Sequence, residues 1–109
     1  MSRWTPDEGD IIWVQFDPQV GREQAGHRPA IVLTPASYNR KSGLLLCVPL
    51  TTRIKDYPFE VAITGQPPSV ALVDHLKSLD WRGRKAKPKG HVAATELEEV
   101  RQTLRALIG

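Results

Sequence analysis

The chain alternates between short apolar runs and longer polar connections, and the runs have the length and residue types of β-strands. One run, Ala30 to Leu33, is continuous, as expected for a buried strand. Pro49 interrupts another run, which predicts an edge strand or a bulge there. Strands are predicted at residues 11–16, 28–34, 43–51, 58–63, 70–73, 74–81 and 90–93.

The pattern is ambiguous in two segments of the chain. Residues 74–81 fit a helix or a strand, and we interpret them as a kinked strand. Residues 36–42 are polar, which predicts a turn or a single helical turn.

The C-terminal segment has the spacing of a helix. Thr95 followed by Glu98 predicts a capping box at its start. Leu97, Val100 and Leu104 then recur at helical spacing and give it one apolar face. Short strands followed by one helix favour a mainly β domain with a C-terminal α-helix. We predict a small β-barrel over residues 1–109, because a barrel leaves no sheet edge exposed.

Composition narrows the class of protein. The chain has 109 residues, 40% of them hydrophobic and 25% charged, which is typical of one globular domain. It contains neither an apolar run long enough to cross a membrane nor a signal-peptide core, so we predict a cytoplasmic protein. The single cysteine, Cys47, lies in an apolar run and is predicted to be a buried structural thiol.

The net charge of +3 is unevenly distributed. Residues 37–91 hold ten basic and four acidic side chains, whereas both ends of the chain are slightly negative. Arg53, Lys55 and the basic segment 82–89 follow predicted strands, and Phe16 and Trp81 lie at strand ends where a ring could stack on a base. This pattern indicates nucleic acid as the partner, although a charged run is commonly a solvated face and an aromatic ring is commonly core.

Candidate chemistry lies in the loop before the second strand. Residues 17–27 form a long connection, and Glu23, His27 and Arg28 offer a carboxylate, an imidazole and a guanidinium. The alternative is that this loop is only a solvated connector. With one cysteine and no HExxH or CxxC motif, we predict no metal site and no cofactor.

RNA is a suitable substrate for this combination of a carboxylate, an imidazole and a guanidinium, because its 2′-hydroxyl is an internal nucleophile. Its cleavage needs a base, an acid and a cation at the phosphate, and no metal. Arg28 would stabilise the phosphate charge, Glu23 offers a carboxylate, and Thr51 could donate its hydroxyl to the same phosphate.

Six segments resemble the MazF/PemK family of toxin endoribonucleases. They span essentially the whole chain in order, and the most specific is EQAGHRP. The segments are GDIIWVQFDP at 9–18, EQAGHRPAIVLTP at 23–35, LLCVPLTT at 45–52, YPFEV at 57–61, VALVDHLKSLDWR at 70–82 and the terminal helix.

The resemblance implies an SH3-like barrel of the type shared with CcdB toxins. It also implies a homodimer that cleaves single-stranded mRNA at short sequences, without ribosomes or metal, and so inhibits translation and growth. The expected products carry 2′,3′-cyclic phosphate and 5′-hydroxyl ends. A MazE-type antitoxin would be the partner that neutralises this activity.

Carried over by position, the resemblance assigns catalysis to Arg28, Thr51 and Glu23. RNA binding is assigned to His27, Gln24, Phe16, Lys55, Lys77 and Arg84. Two alternatives stay open: a gyrase-inhibiting toxin like CcdB on the same fold, and a binding module with a basic groove. Neither of these would need the combination of Arg28, Thr51 and Glu23.

Overall fold

The structure is a computed structural model that describes residues 4–16, 27–65 and 67–109. Its strands are β1 (Asp10–Val14), β2 (Arg28–Val32), β3 (Leu44–Thr51), β4 (Glu60–Ile63), β5 (Ser69–Leu72), β6 (Lys77–Asp80) and β7 (Lys87–His91). Its helices are α1 (Ala36–Ser42) and α2 (Ala94–Ile108), with a short 3-10 helix at Val73–His75.

All the strand pairs in the described residues are antiparallel, in the order β4-β5-β3-β2-β1-β7. Strand β6 joins the sheet beside the first half of β3, whereas β5 pairs with the end of β3. The prediction of a mainly β fold with a C-terminal helix is confirmed. In the part of the chain that the structure describes, the end strands β4 and β7 are not paired, so closure into a barrel stays a prediction.

Strand β3 lies inside the sheet, so the prediction of an edge position from Pro49 is wrong. Pro49 is opposite Ala30 of β2. On the other side of β3 the β6 pairing ends at Cys47 and the β5 pairing begins at Leu50. Because Pro49 falls between these two partners, β3 accommodates a residue without a backbone N–H.

The central strands are buried on both faces, which explains the continuous apolar run of β2. Ile31 faces a cluster that α2 covers through Val100, and Ala30 and Val32 face a second cluster that contains Trp81. A strand whose successive side chains alternate between two cores must be apolar at every position. Cys47 is buried in the second cluster, as predicted, and burial raises the pKa of its thiol to about 12.

Two local predictions change, and one is confirmed in part. Polar segment 36–42 is a helix of two turns, closed by Gly43 in the left-handed conformation. Segment 74–81 is indeed strand for its second half, after a 3-10 helix. The final strand begins at Lys87, inside the segment predicted as a basic loop. Among the described residues, no helix is both long and apolar enough to cross a membrane.

Helix α2 begins earlier than the capping-box pattern predicts. The helix starts at Ala94, and Glu96 rather than Glu98 accepts the N–H of the cap residue, Ala93, at 2.9 Å. The other carboxylate oxygen of Glu96 accepts the backbone N–H of Thr64 at 2.8 Å and its hydroxyl at 3.0 Å. Glu96 therefore ties the start of α2 to the end of β4.

These hydrogen bonds predict a pH-dependent contribution to stability. The bond from the Thr64 backbone is the main cause that lowers the pKa of Glu96 below its ordinary value of 4.5. Because the folded pKa is the lower one, the contribution is present above pH 4.5 and is lost as the pH falls through the folded value. Urea unfolding should show wild type more stable than Glu96→Gln at neutral pH and the two converging as the pH is lowered below 4.5. A difference that stays constant with pH would contradict this.

Candidate active site

Arg28 and Thr51 occupy neighbouring strand ends. Arg28 is the first residue of β2, and Thr51 is the last residue of β3. The two strands pair antiparallel with Ala30 opposite Pro49. Continuing that register by two residues brings Arg28 opposite Thr51. The strands thus carry the guanidinium and the hydroxyl to the same end of the sheet.

Both residues line one pocket of about 370 Å³. The charged residues of its lining are both cations, Arg28 and Lys89. Hydroxyl groups come from Thr51 and three further lining residues, Thr52, Thr64 and Ser69. Cations together with hydroxyl donors suit an anionic group such as a phosphate.

The Thr51 hydroxyl is held by its own loop. Its Oγ1 accepts the backbone N–H of Arg53 at 3.1 Å. Such a bond uses an acceptor position and leaves the O–H as a donor. Thr51 can therefore donate to a phosphate oxygen in the pocket while its side chain stays oriented.

Two predicted site residues, Glu23 and Gln24, lie outside the described residues. His27 is described and half-buried, at the start of β2 beside Arg28. Its Nε2 is buried, and no hydrogen-bond partner for it lies among the described residues.

Lys55 lies next to the Arg28 pocket. It lines a second pocket of about 220 Å³ with Tyr57, and Thr51 lines both pockets. The ammonium of Lys55 lies 5.7 Å from the centroid of the Tyr57 ring. The carboxylates of Glu60 and Asp74 line the same pocket, so its charge is mixed. The cation and ring beside the shared threonine are the groups in it that suit a nucleic-acid strand.

Phe16, Lys77 and Arg84 do not line either pocket. Phe16 is half-buried against the cluster that contains Trp81. Arg84 donates from Nη1 to the backbone carbonyls of Gln15, at 3.1 Å, and Phe16, so it fastens the end of β1. Lys77 is exposed on β6, opposite Cys47.

Trp81 is a core residue, and the idea that it stacks on a base is wrong. Its side chain is 5% exposed. Its Nε1 donates to the carbonyl of Asn39 at 2.8 Å, and its ring meets Trp4 edge-on at a centroid distance of 6.2 Å. Arg82 covers the ring at 4.2 Å.

Trp13 and Lys89 also line the pocket, and neither was singled out from the sequence. Trp13 is 37% exposed, and the Lys89 ammonium lies 5.0 Å from the centroid of its ring. Alternation along β1 could have identified Trp13, because Ile12 and Val14 are buried and Trp13 points to the other face. Lys89 was noted only as one of the basic residues of segment 82–89, and nothing in the sequence distinguishes it from its neighbours.

Comparison with known proteins identifies the family of this chain. Residues 7–108 match the model of the PemK-like, MazF-like toxin of type II toxin-antitoxin system. The chain belongs to this family. It is 56% identical to the endoribonuclease toxin MazF of Escherichia coli K12 over 110 aligned positions, which cover 100% of this chain and 99% of that protein.

Solved MazF structures agree with this assignment. MazF from Deinococcus radiodurans superposes with a TM-score of 0.87 at 46% identity, over 97% of this chain and 98% of that one. A MazE–MazF complex from the same organism gives a TM-score of 0.84 at 40% identity, with the same coverage. The fold and the family therefore rest on full-length similarity.

Proposed function

We propose that this chain is the endoribonuclease toxin of a type II toxin-antitoxin system, and that it cuts single-stranded mRNA at short sequences without ribosomes or metal. The observation that carries the proposal is the shared pocket of Arg28 and Thr51, whose charged lining residues are both cations. Full-length similarity to the E. coli endoribonuclease MazF supports the same activity. A gyrase-inhibiting role of the CcdB type is not favoured, since the matching family model, the E. coli relative and the D. radiodurans structures are all of the MazF or PemK type.

The chemistry uses the nucleophile that RNA carries. The 2′-oxygen forms a bond to the adjacent phosphorus, and the bond from phosphorus to the 5′-oxygen breaks. The 2′-hydroxyl proton passes to a base, and the leaving oxygen takes a proton from an acid. The products carry a 2′,3′-cyclic phosphate and a 5′-hydroxyl.

The proposed roles follow from charge and position. The Arg28 guanidinium stabilises the phosphorane charge with two parallel N–H donors, and Thr51 donates its hydroxyl to the same group. Glu23 is the carboxylate that we assign to proton transfer. His27, the neighbour of Arg28, contacts the RNA beside the reacting phosphate.

The remaining assigned residues bind RNA further from the reaction. Lys55 has direct support, because its pocket adjoins that of Thr51. Gln24, Phe16, Lys77 and Arg84 are assigned by their match to the family. For Arg84 the bonds to the carbonyls after β1 support an indirect role, in which it positions Phe16.

The assembly is proposed from the same relationship. We infer a cytoplasmic homodimer of one domain, residues 1–109, whose sheet closes as an SH3-like barrel of the CcdB/MazF type. A MazE-type antitoxin is the neutralising partner, as in the MazE–MazF complex of D. radiodurans. The basic middle of the chain suits both an acidic antitoxin segment and RNA.

The experiment that tests this function is cleavage of a long single-stranded RNA by purified, antitoxin-free protein in excess EDTA. Discrete cuts with cyclic-phosphate ends are expected, at a rate within about two-fold of that in magnesium, because the mechanism uses only side chains and the 2′-hydroxyl. Arg28→Ala protein from the same purification controls for contaminating nucleases. Loss of cleavage in EDTA that magnesium restores would contradict the mechanism, and no cutting at all would contradict the function.

A further inference from the structure

The pairing between β1 and β7 is interrupted at Lys89. Ile11 is opposite Gly90, but the next residue, Ile12, is opposite Pro88. Lys89 is therefore an extra residue in the edge strand, a β-bulge. Bulges change the direction of a side chain and are frequent beside active sites.

The bulge brings Lys89 into the pocket of Arg28 and Thr51. Lys89 lines that pocket, and its ammonium lies 5.0 Å from the centroid of the Trp13 ring. Lys87, which pairs with Trp13 in regular register, is not among the lining residues. The irregularity of β7 thus distinguishes Lys89 from its basic neighbours.

Trp13 lies on β1, between the two strands that carry the cations of the pocket. Strand β1 has β2 on one side and β7 on the other. The strand with Arg28 therefore flanks the tryptophan on one side, and the strand with Lys89 flanks it on the other. A nucleotide has the same layout, a flat base with a phosphate on each side, and an exposed indole is a good stacking surface for a base.

We propose that Lys89 binds the RNA phosphate next to the one that Arg28 engages, and that the base between these phosphates stacks on Trp13. This inference rests on the proposed function and adds a subsite to it. In the free protein the lysine lies over the indole face. On binding, the base replaces the ammonium over the ring and the ammonium moves to the phosphate, so each group exchanges one favourable contact for another.

The first test separates binding from chemistry. Lys89→Ala should raise KM about ten-fold and change kcat less than about two-fold, because the contact exists in both the ground and transition states. The dependence of log affinity on log salt should become shallower by about 0.7, the value for one phosphate on a single strand. Lys89→Arg should recover most of both effects, since it keeps the charge.

Lys41→Ala is the matched control. Lys41 is an exposed lysine of α1, which connects the ends of β2 and β3 that are opposite to Arg28 and Thr51. Its loss removes the same charge and should leave KM and the salt slope unchanged. If Lys89→Ala behaves like Lys41→Ala, the proposal is wrong.

The second test follows the indole directly. The probe is a single-stranded oligonucleotide with 2′-deoxy sugars throughout, which cannot be cleaved because the 2′-hydroxyl nucleophile is missing, and whose design does not depend on a mapped cut. It should quench the fluorescence of wild type and of Lys89→Ala at saturation, with about ten-fold more probe needed for the latter. Trp13→Phe, which keeps a ring for folding, should lose most of the quench, since Trp4 and Trp81 are packed together away from the pocket.

An undiminished quench in Trp13→Phe would overturn the stacking assignment. Because the probe reports binding without cleavage, these results stand apart from the proposed function. A wild type that binds through Lys89 and Trp13 but never cuts RNA would refute the ribonuclease activity and retain the subsite.

Discussion

Replacing Arg28 with alanine is expected to lower the rate of RNA cleavage by about a thousand-fold. The side chain is exposed at the start of β2 and lines the pocket that Thr51 shares. In the proposed reaction negative charge builds on the phosphate oxygens, and donors placed for that charge provide more stabilisation in the transition state than in the ground state. Single-turnover cleavage in EDTA, with the protein in saturating excess over the RNA, measures this effect without a contribution from weaker binding.

Two variants show whether the effect belongs to the guanidinium. Arg28→Lys keeps the charge and loses the paired N–H donors, so its rate should fall between those of wild type and Arg28→Ala. Arg40→Ala removes an exposed arginine from α1 and should leave the rate unchanged. Since Arg28 is exposed, the urea midpoint of its variants should match wild type. A rate for Arg28→Ala within ten-fold of wild type would contradict the assignment of Arg28 to catalysis.

The fold was predictable where burial alone decides the residue type. The apolar run of β2 reveals a buried strand because each of its faces meets a core, and the spacing in α2 reveals a helix because one face covers the sheet. Both patterns are local in sequence and reflect a whole element. The class of fold follows from them, whatever the exact boundaries.

The boundaries of helices and strands depend on contacts with residues distant in sequence, which the local pattern does not indicate. Helix α2 begins early because Glu96 also accepts hydrogen bonds from Thr64, which lies at the end of β4. Pro49 sits inside a central strand because the neighbour of β3 changes from β6 to β5 at that point. In each case a contact with a residue distant in sequence overrides the local structural preference.

The candidate site likewise combines residues that the sequence indicates with one that only the strand pairing reveals. Arg28 and Thr51 were proposed from residue type and family resemblance, and the register of β2 and β3 brings their positions opposite each other. Lys89 was noted only as part of the basic segment 82–89, since only the register between β1 and β7 distinguishes it from Lys87. A bulge is a property of two strands, and neither strand alone encodes a visible signal for it.

The polar centre of the fold is Asn39, which is fully buried in α1. Its Nδ2 donates to the carbonyls of Pro6 at 2.8 Å and Thr34 at 2.9 Å. Its Oδ1 accepts the Thr34 hydroxyl at 2.7 Å, and its backbone carbonyl accepts Trp81 Nε1 at 2.8 Å. One side chain thus joins the N-terminal segment, the residues after β2 and helix α1, and its backbone joins the turn after β6.

Asn39→Ala is expected to destabilise the protein by about 3 kcal/mol. The substitution leaves two backbone carbonyls without the donors that satisfy them in a buried site, and such unsatisfied groups cost more than the bonds contribute when made. For a small domain this loss should move the urea midpoint down by more than about 1 M. Cleavage per folded molecule should not change, because α1 lies at the opposite end of β2 and β3 from Arg28 and Thr51.

Comparison with Asn39→Asp separates lost donors from lost volume. Aspartate fills the same space and keeps an acceptor for Thr34, but it points an oxygen at the two carbonyls that now receive N–H donors. If donors matter, Asn39→Asp destabilises the protein at least as much as Asn39→Ala, because a buried charge also faces unpaired oxygens. If volume matters, Asn39→Asp stays close to wild type, and the hydrogen bonds of Asn39 are then not what holds these segments together. Arg40→Ala, an exposed neighbour in the same helix, should move the midpoint little in either case.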